Sequence, residues 1–350
     1  MRRFSPSTLE AFAKAIFLAA GSESAEAEII AAHLVEASLM GHDSHGVIRI
    51  SKYVDWARSG QVRPNRHARI VGDRGALVVV DGEFGYGQVI GKEAMAIAAE
   101  RAKAHGMATL AIRNSGHLGR IGAWPERLAE QGLASIHFVN TSGFGILVAP
   151  FGGSDRRLSA NPIAAGAPVK GGRPIVLDIA TSVVAEGKIQ LARNKREPLA
   201  LGLVLDGRGE PTTDAEALYA ERPGAILPFG GHKGSGLSFF CEILAGALTG
   251  GHASHPRSPT ADRLVNNMLS MAFDPAAFGD AGEFDDDVAR LVAWVKASPP
   301  VAAGGRVLLP GEIEQETRSE RLTNGLPIDD ATWRQICATA EGLGVAIPTE

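Results

Sequence analysis

Cysteine is almost missing from this chain: Cys241 and Cys337 are the two thiols in 350 residues. Two isolated thiols make no disulfide framework, and Cys241 lies in an apolar helical pattern, so both are expected as plain core or surface side chains in a reducing cytoplasm. Long hydrophobic runs are missing too. No stretch approaches the roughly 18 apolar residues of a membrane span, and the first residues, Met1-Arg2-Arg3-Phe4-Ser5-Pro6-Ser7, carry no apolar segment of the signal-peptide kind, so a cytoplasmic protein is expected. An excess of one charge is also lacking. The formal net charge is −4 and the basic residues are scattered, which sets nucleic-acid partners aside. There is neither an internal repeat nor a low-complexity tract.

What is there in quantity is glycine and alternating structure. The length exceeds one typical core, so a large α/β unit with a smaller satellite is expected. Residues 7 to 20 place Leu9, Phe12, Ala13 and Ile16 on one helical face, with Ser7 and Glu10 as a capping box. A second helix is predicted from Ser24 to Leu39 and a third from Ile48 to Arg58, so the first seventy residues read as helical. From Ala76 the text alternates. Strands are predicted over 76–81, 108–113, 134–139, 174–179, 201–205 and 266–273, and helices over 91–105, 120–131 and 234–248, the last with Leu237, Phe240, Cys241, Leu244 and Leu248 as one stripe. The acidic run Glu283 to Asp287 suits a helix start. Residues 308–324 read as a polar tail, and 329–343 as a closing helix.

Four glycine-flanked clusters carry the chemistry. Gly41-His42-Asp43-Ser44-His45-Gly46 with Arg49 brings imidazole, hydroxyl, carboxylate and guanidinium together, as acid/base work on an anionic substrate requires; the alternative is a polar helix cap. Arg113 to Arg120 joins a strand end to a helix start, where free N–H groups favour anions, and sets His117 and Arg120 beside them; the alternative is local capping by Asn114 and Ser115. Phe229 to Gly236 surrounds His232 and Lys233 with glycines, yet Gly234 follows Lys233, so the phosphate loop of nucleotide triphosphatases is not matched. Asp178 stands among apolar residues in a strand and needs a donor, structural or from a ligand ribose. Two weaker signals are demoted: Gly85 to Gly91 has the wrong spacing for a Rossmann turn, and His252 with His255 lacks further metal ligands, so no metal is expected.

Together these stretches resemble the malate/L-lactate dehydrogenase family, which is distinct from the Rossmann-type lactate and malate dehydrogenases. The marks are Gly41 to Gly46 with Arg49, Asn114 to Gly119, Leu177 to Ser182, Gly231 to Leu237, Asn266-Asn267-Met268 and Leu309 to Glu312. The Gly119 to Gly122 and Trp294 to Pro299 segments look like the hydroxycarboxylate dehydrogenase branch. The resemblance implies a non-Rossmann α/β fold with a largely antiparallel central sheet. A helical unit of residues 1–74, joined by 305–350, would carry the catalytic loop, and 75–304 would form the cofactor-binding unit. It further implies a homodimer and a nicotinamide cofactor, NAD or NADP with NAD favoured. Ser44 and His45 match the acid/base pair, Arg49 the carboxylate clamp, and His117 a second histidine of the same site. His45, Gly119, Arg120, Ile121, Val176, Leu177, Asp178, Ile179, Ala180, His232, Lys233, Asn266, Gly311, Glu312, Ile313 and Glu314 match cofactor-contacting positions. The implied reaction interconverts 2-hydroxy and 2-keto carboxylates, with His45 oriented by Ser44 as proton donor and His45 against His117 left open. The rival readings are a cyclic imine reductase and a nucleotide-binding module without chemistry.

Overall fold

The computed structural model describes residues 2–302 and 304–348. Met1, Ala303, Thr349 and Glu350, which fall within the expected units, lie outside the described residues.

The chain opens with a short strand β1 (Arg2–Phe4) and helices α1 (Pro6–Ala19), α2 (Ser24–Leu39) and α3 (Arg49–Arg58). The cap of α1 lies two residues before the expected one. Ser5, not Ser7, accepts the Thr8 N–H at 3.1 Å, because Pro6 has no N–H to spare and its fixed φ suits the first helical position. α2 is apolar on most of its circumference. Ile30, Ala31, Leu34, Val35 and Leu39 are all buried, since the helix is covered by α1 and by elements from the rest of the chain.

The body is a seven-stranded sheet in the order β2-β3-β4-β13-β5-β8-β9. Its strands are β2 (Arg69–Arg74), β3 (Leu77–Asp81), β4 (Met107–Ser115), β5 (Ala134–Ser142), β8 (Ile163–Ala167), β9 (Ile175–Ile179) and β13 (Val265–Phe273). β2 was not foreseen, because its side chains are mostly exposed and show no apolar alternation. Every neighbouring pair runs antiparallel except β3 and β4, whose parallel pairing is closed by the crossover helix α4 (Gly87–His105). The fold is thus α/β with a mainly antiparallel sheet. α4 and α5 (Ala123–Ala129) cover it over a core that includes Ile90, Met95, Leu110, Ile112, Trp124 and Met268.

A smaller five-stranded sheet, ordered β11-β10-β12-β6-β7, joins β6 (Ile146–Val148), β7 (Leu158–Ser159), β10 (Val204–Leu205), β11 (Pro211–Thr212) and β12 (Ala225–Ile226). α6 (Glu186–Lys195) packs there through Ile189. α7 (His232–Cys241) continues as a π-helical stretch over Glu242–Ala247. The stripe expected on it is split: Cys241 is buried, whereas Leu237, Phe240 and Leu248 are exposed.

The last part holds α8 (Ala281–Lys296), α9 (Glu312–Asn324), β14 (Leu326–Ile328) and α10 (Asp330–Glu341). The expected polar tail is therefore largely a helix. α9 has no fully buried residue and docks through ion pairs, Arg318 to Glu36 at 2.7 Å and Arg321 to Asp43, which leave no apolar period to read. β14 pairs with β1, and Ile328, Trp333 and Ile336 complete the core of the N-terminal helices.

Candidate active site

The loop between α2 and α3 is built on its glycines. Gly41 has φ +82°, and a Cβ on Gly46 would lie 2.0 Å from Ser38 Oγ, so the chain can turn tightly against α2. A single 3-10 turn, Asp43–His45, then presents Ser44 and His45. Ser44 Oγ lies 2.9 Å from His45 Nδ1. Arg49, the first residue of α3, donates through Nε to the Ser44 carbonyl at 2.6 Å. It is half-buried, and among the described residues no carboxylate pairs with it.

His117 reaches the same place from the other side. The loop after β4 is clamped: Gly116 N donates to Gly85 O at 2.9 Å, Gln88 Nε2 to the His117 carbonyl at 3.1 Å, and Leu118 N to Asn266 Oδ1 at 2.8 Å. Gly87 allows the close approach, since a Cβ there would sit 2.2 Å from the His117 carbonyl oxygen. Packing thus explains a glycine in the demoted Gly85 to Gly91 run. The His45 and His117 rings stack with centroids 5.3 Å apart. Burial, the Arg49 guanidinium and neighbouring histidines hold His45 down at about 3, and the same causes hold His117 well below the usual imidazole range. Both rings are neutral at pH 7.

A second group forms one cleft. Arg120, Val176, Asp178, Gly311 and Glu314 line it together with Glu126. Arg120 is 3% exposed and pairs with Glu126. Asp178 finds its donor in the Gly122 N–H at 2.7 Å. Next to it opens a cavity of about 530 Å³, lined by Arg173, Pro174, Ile175, Gly311, Glu312 and Gln315 among others. The two spaces share Pro174, Gly311 and Gln315. Leu177 and Ile313 are exposed, and Ile179 and Ala180 half-buried.

The third cluster is linked to the first through the chain. Phe229 N donates to Thr181 O at 3.0 Å, and a Cβ on Gly187 would touch the Ser44 Cβ at 3.0 Å. His232 and Lys233 are exposed at the start of α7, with His232 edge-on to Phe151. Ser235 Oγ accepts the Phe151 N–H at 2.9 Å.

Gly119, Arg120, Ile121, Val176 and Asn266 are the buried members of the expected contact set. Ile121 is part of the sheet core. Asn266 is 3% exposed and uses its amide within the protein, donating to Thr141 Oγ1 at 2.9 Å while accepting from Leu118. A shift in the β4–β13 register at Asn266/Met268 aims it at the His117 loop. Three residues at the site were not singled out from sequence. His33 on α2 accepts the Arg120 N–H at 3.1 Å, Tyr53 Oη lies 2.6 Å from His117 Nδ1, and Gln88 Nε2 donates to Tyr53 Oη at 3.0 Å. Tyr53 follows Arg49 by one helical turn, a spacing that puts both on one face and is a usable signal; Gln88 carries none.

A family model described as malate/L-lactate dehydrogenase matches residues 4–337. The chain belongs to the malate/L-lactate dehydrogenase family. It is 42% identical to hydroxycarboxylate dehydrogenase B of Escherichia coli O157:H7, over 98% of this chain and 95% of that protein. A solved E. coli structure described as a malate/lactate dehydrogenase superposes with a TM-score of 0.93 at 41% identity, covering 99% of this chain and 96% of the other. The Δ1-piperideine-2-carboxylate reductase of Pseudomonas syringae pvar. tomato superposes with a TM-score of 0.83 at 32% identity, over 97% of this chain and 100% of the other. The protein is an oxidoreductase of this family, and no described helix is long and apolar enough to cross a membrane.

Proposed function

We propose that the protein is a dehydrogenase that interconverts 2-hydroxy and 2-keto carboxylates with a nicotinamide cofactor. The observation that carries this reading is Arg49, a half-buried guanidinium with no carboxylate partner among the described residues, set beside two neutral imidazoles. Such a cation calls for an anionic ligand, and its planar fork suits a carboxylate. A carboxylate on Arg49 also offsets the positive charge that helps keep His45 and His117 deprotonated. Substrate binding therefore raises the proton affinity of the pair that serves the adjacent carbonyl oxygen. In the oxidative direction a neutral imidazole takes the hydroxyl proton, and Ser44 holds the His45 ring through Nδ1.

The donors present fit a nicotinamide cofactor. The 530 Å³ cavity between Ile175 and Gln315 has room for an aromatic base, and it adjoins the Arg120–Asp178 cleft. Gly119 to Ile121, Val176 to Ala180 and Gly311 to Glu314 would hold the cofactor there, and His232 with Lys233 would supply a cation for a phosphate at the glycine turn. When bound, the cofactor supplies the hydride for the carbonyl carbon. Arg173 lines the cavity together with Glu312 and Glu316, which are paired with Lys296 and Arg306, so the expected preference for NAD over NADP is decided by the assay below. The two-unit organisation is part of the proposal, with residues 1–74 and 305–350 presenting the catalytic loop to the cofactor unit 75–304. So is a cytoplasmic homodimer, supported by the exposed Leu237, Phe240, Ile243 and Leu248 along one helical stretch.

The test is a panel of 2-keto acids of rising size, with a cyclic imino acid beside them, assayed by nicotinamide absorbance with NADH and NADPH. Turnover of a 2-keto acid with NADH preferred is the expected result. Turnover of the imino acid alone moves the assignment to C=N reduction, and no turnover of any substrate overturns it.

A further inference from the structure

Tyr53 and Gln88 have no part in the proposal above, yet they decide where His117 keeps its hydrogen. The Gln88 amide lies across two groups at once: Nε2 is 3.1 Å from the His117 carbonyl oxygen and 3.0 Å from Tyr53 Oη. A carbonyl oxygen can only accept, so the NH2 end of the amide must face it. One amide hydrogen goes to that carbonyl and the other to the phenol. Tyr53 Oη therefore accepts from Gln88, and its own single hydrogen remains to be placed. The nearest acceptor is His117 Nδ1, at 2.6 Å. Tyr53 is 1% exposed, stacked on Trp56 and packed at a tilt against Tyr86, so water does not compete for that hydrogen.

If His117 Nδ1 carried a hydrogen, either two hydrogens would meet across 2.6 Å or the phenol hydrogen would turn away from the ring, where no acceptor among the described residues receives it. We infer that Gln88 and Tyr53 are positioning residues that hold His117 in the Nε2–H tautomer, so that the ring offers a hydrogen, and not a lone pair, to the substrate's oxygen. The statement about the oxygen rests on the dehydrogenase reading; the tautomer does not. His45 has no such lock. Its Nδ1 faces the Ser44 hydroxyl at 2.9 Å, a rotor that donates or accepts equally well. The two stacked rings are thus unlike: one is fixed as a donor, and the other is free to change.

The inference is tested on the full-length protein without ligand by nitrogen NMR of 15N-histidine-labelled samples at pH 7.5, with the His117 signals assigned by their loss in His117→Gln. In the native protein the Nδ1 signal is expected in the unprotonated range and Nε2 in the protonated range. Tyr53→Phe keeps the ring in its stack, removes the hydroxyl, and is expected to bring the two signals towards averaged positions. Gln88→Met keeps the volume but removes the amide donors, and a smaller shift in the same direction is expected. Alongside, Tyr53→Phe should lower kcat for 2-keto acid reduction at least about tenfold with the KM for NADH unchanged, a split that loosened packing alone does not give. A hydrogen on Nδ1 in the native protein, or a tautomer indifferent to Tyr53→Phe, overturns the inference. A locked tautomer in an enzyme that reduces no 2-keto acid upholds the lock and overturns the functional reading instead.

Discussion

Arg49 explains the site more economically than either histidine does. Its Nε is spent on the Ser44 carbonyl, which ties the proposed carboxylate clamp to the loop of Ser44 and His45, and the outer nitrogens of its fork are left for a ligand. Arg49→Lys keeps the charge but loses the fork, so KM for the carboxylate substrate should rise about tenfold or more, with KM for NADH little changed; steady-state kinetics checks it, and an unchanged substrate KM counts against the clamp. His45→Ala should lower turnover by about 10² to 10⁴, the usual share of general acid/base catalysis, measured as kcat at saturating cofactor. Ser44, His45, Arg49 and His117 were legible in sequence because polar, chargeable groups between glycines are poor core material and stand out. Tyr53 and Gln88 were not, because a buried tyrosine or glutamine on a helix has the sequence signature of ordinary packing.

Among the elements, the loop from Gly116 to Gly122 does the most with the fewest residues. It is pinned from α2 by His33, from α4 by Gln88 and from β13 by Asn266. Gly119 sits at φ +73°, and a Cβ there would come within 2.3 Å of His33 Nε2. Gly119→Ala therefore strains the backbone and displaces the anchor, with an expected loss of about 1–3 kcal/mol by urea unfolding and a fall in kcat as His117 moves. The helices α1 to α3 and most of the central strands were legible from their apolar periods, with ends moved by a few residues. α9 was not, although Gly311 and Gly325 bracket it and Glu312 and Glu314 lie in its first turn. A helix held by ion pairs to a neighbour has no stripe to betray it.

For the molecule as a whole, two predictions concern stability and assembly. His33 and His137 are buried, and both are held at about 3, His33 by burial and by Arg120 and Arg127, His137 by burial alone. The native state keeps them neutral, while the unfolded chain protonates them near 6.5. Between those values the unfolded state binds more protons, so stability is fully present above about pH 6.5 and is lost as pH falls towards 3. Each such histidine contributes a slope of about 1.4 kcal/mol per pH unit within that window, and unfolding titrations at fixed protein concentration from pH 7 to 4.5 should show stability falling throughout. Leu237 and Phe240 are 37% and 57% exposed on α7. If they form the homodimer contact, Phe240→Asp yields a monomer in sedimentation velocity; a mass unchanged by the substitution removes that face from the interface.

The order of polar clusters along the chain was enough to recognise the family, since that depends on which residues are present and how they are spaced, and the resemblance in turn implied the antiparallel sheet and the groups expected at the site. How the groups act was out of reach until the chain was folded. His117 and Tyr53 are 64 residues apart and meet at 2.6 Å, Leu118 and Asn266 are 148 apart, and Arg318 and Glu36 are 282 apart. Hydrogen bonds and ion pairs between such distant residues leave no local period. Only the packing of α3 and α4 against the His117 loop sets which nitrogen of His117 carries hydrogen, and only the tertiary contacts of α2 and β13 fix where the loop stands.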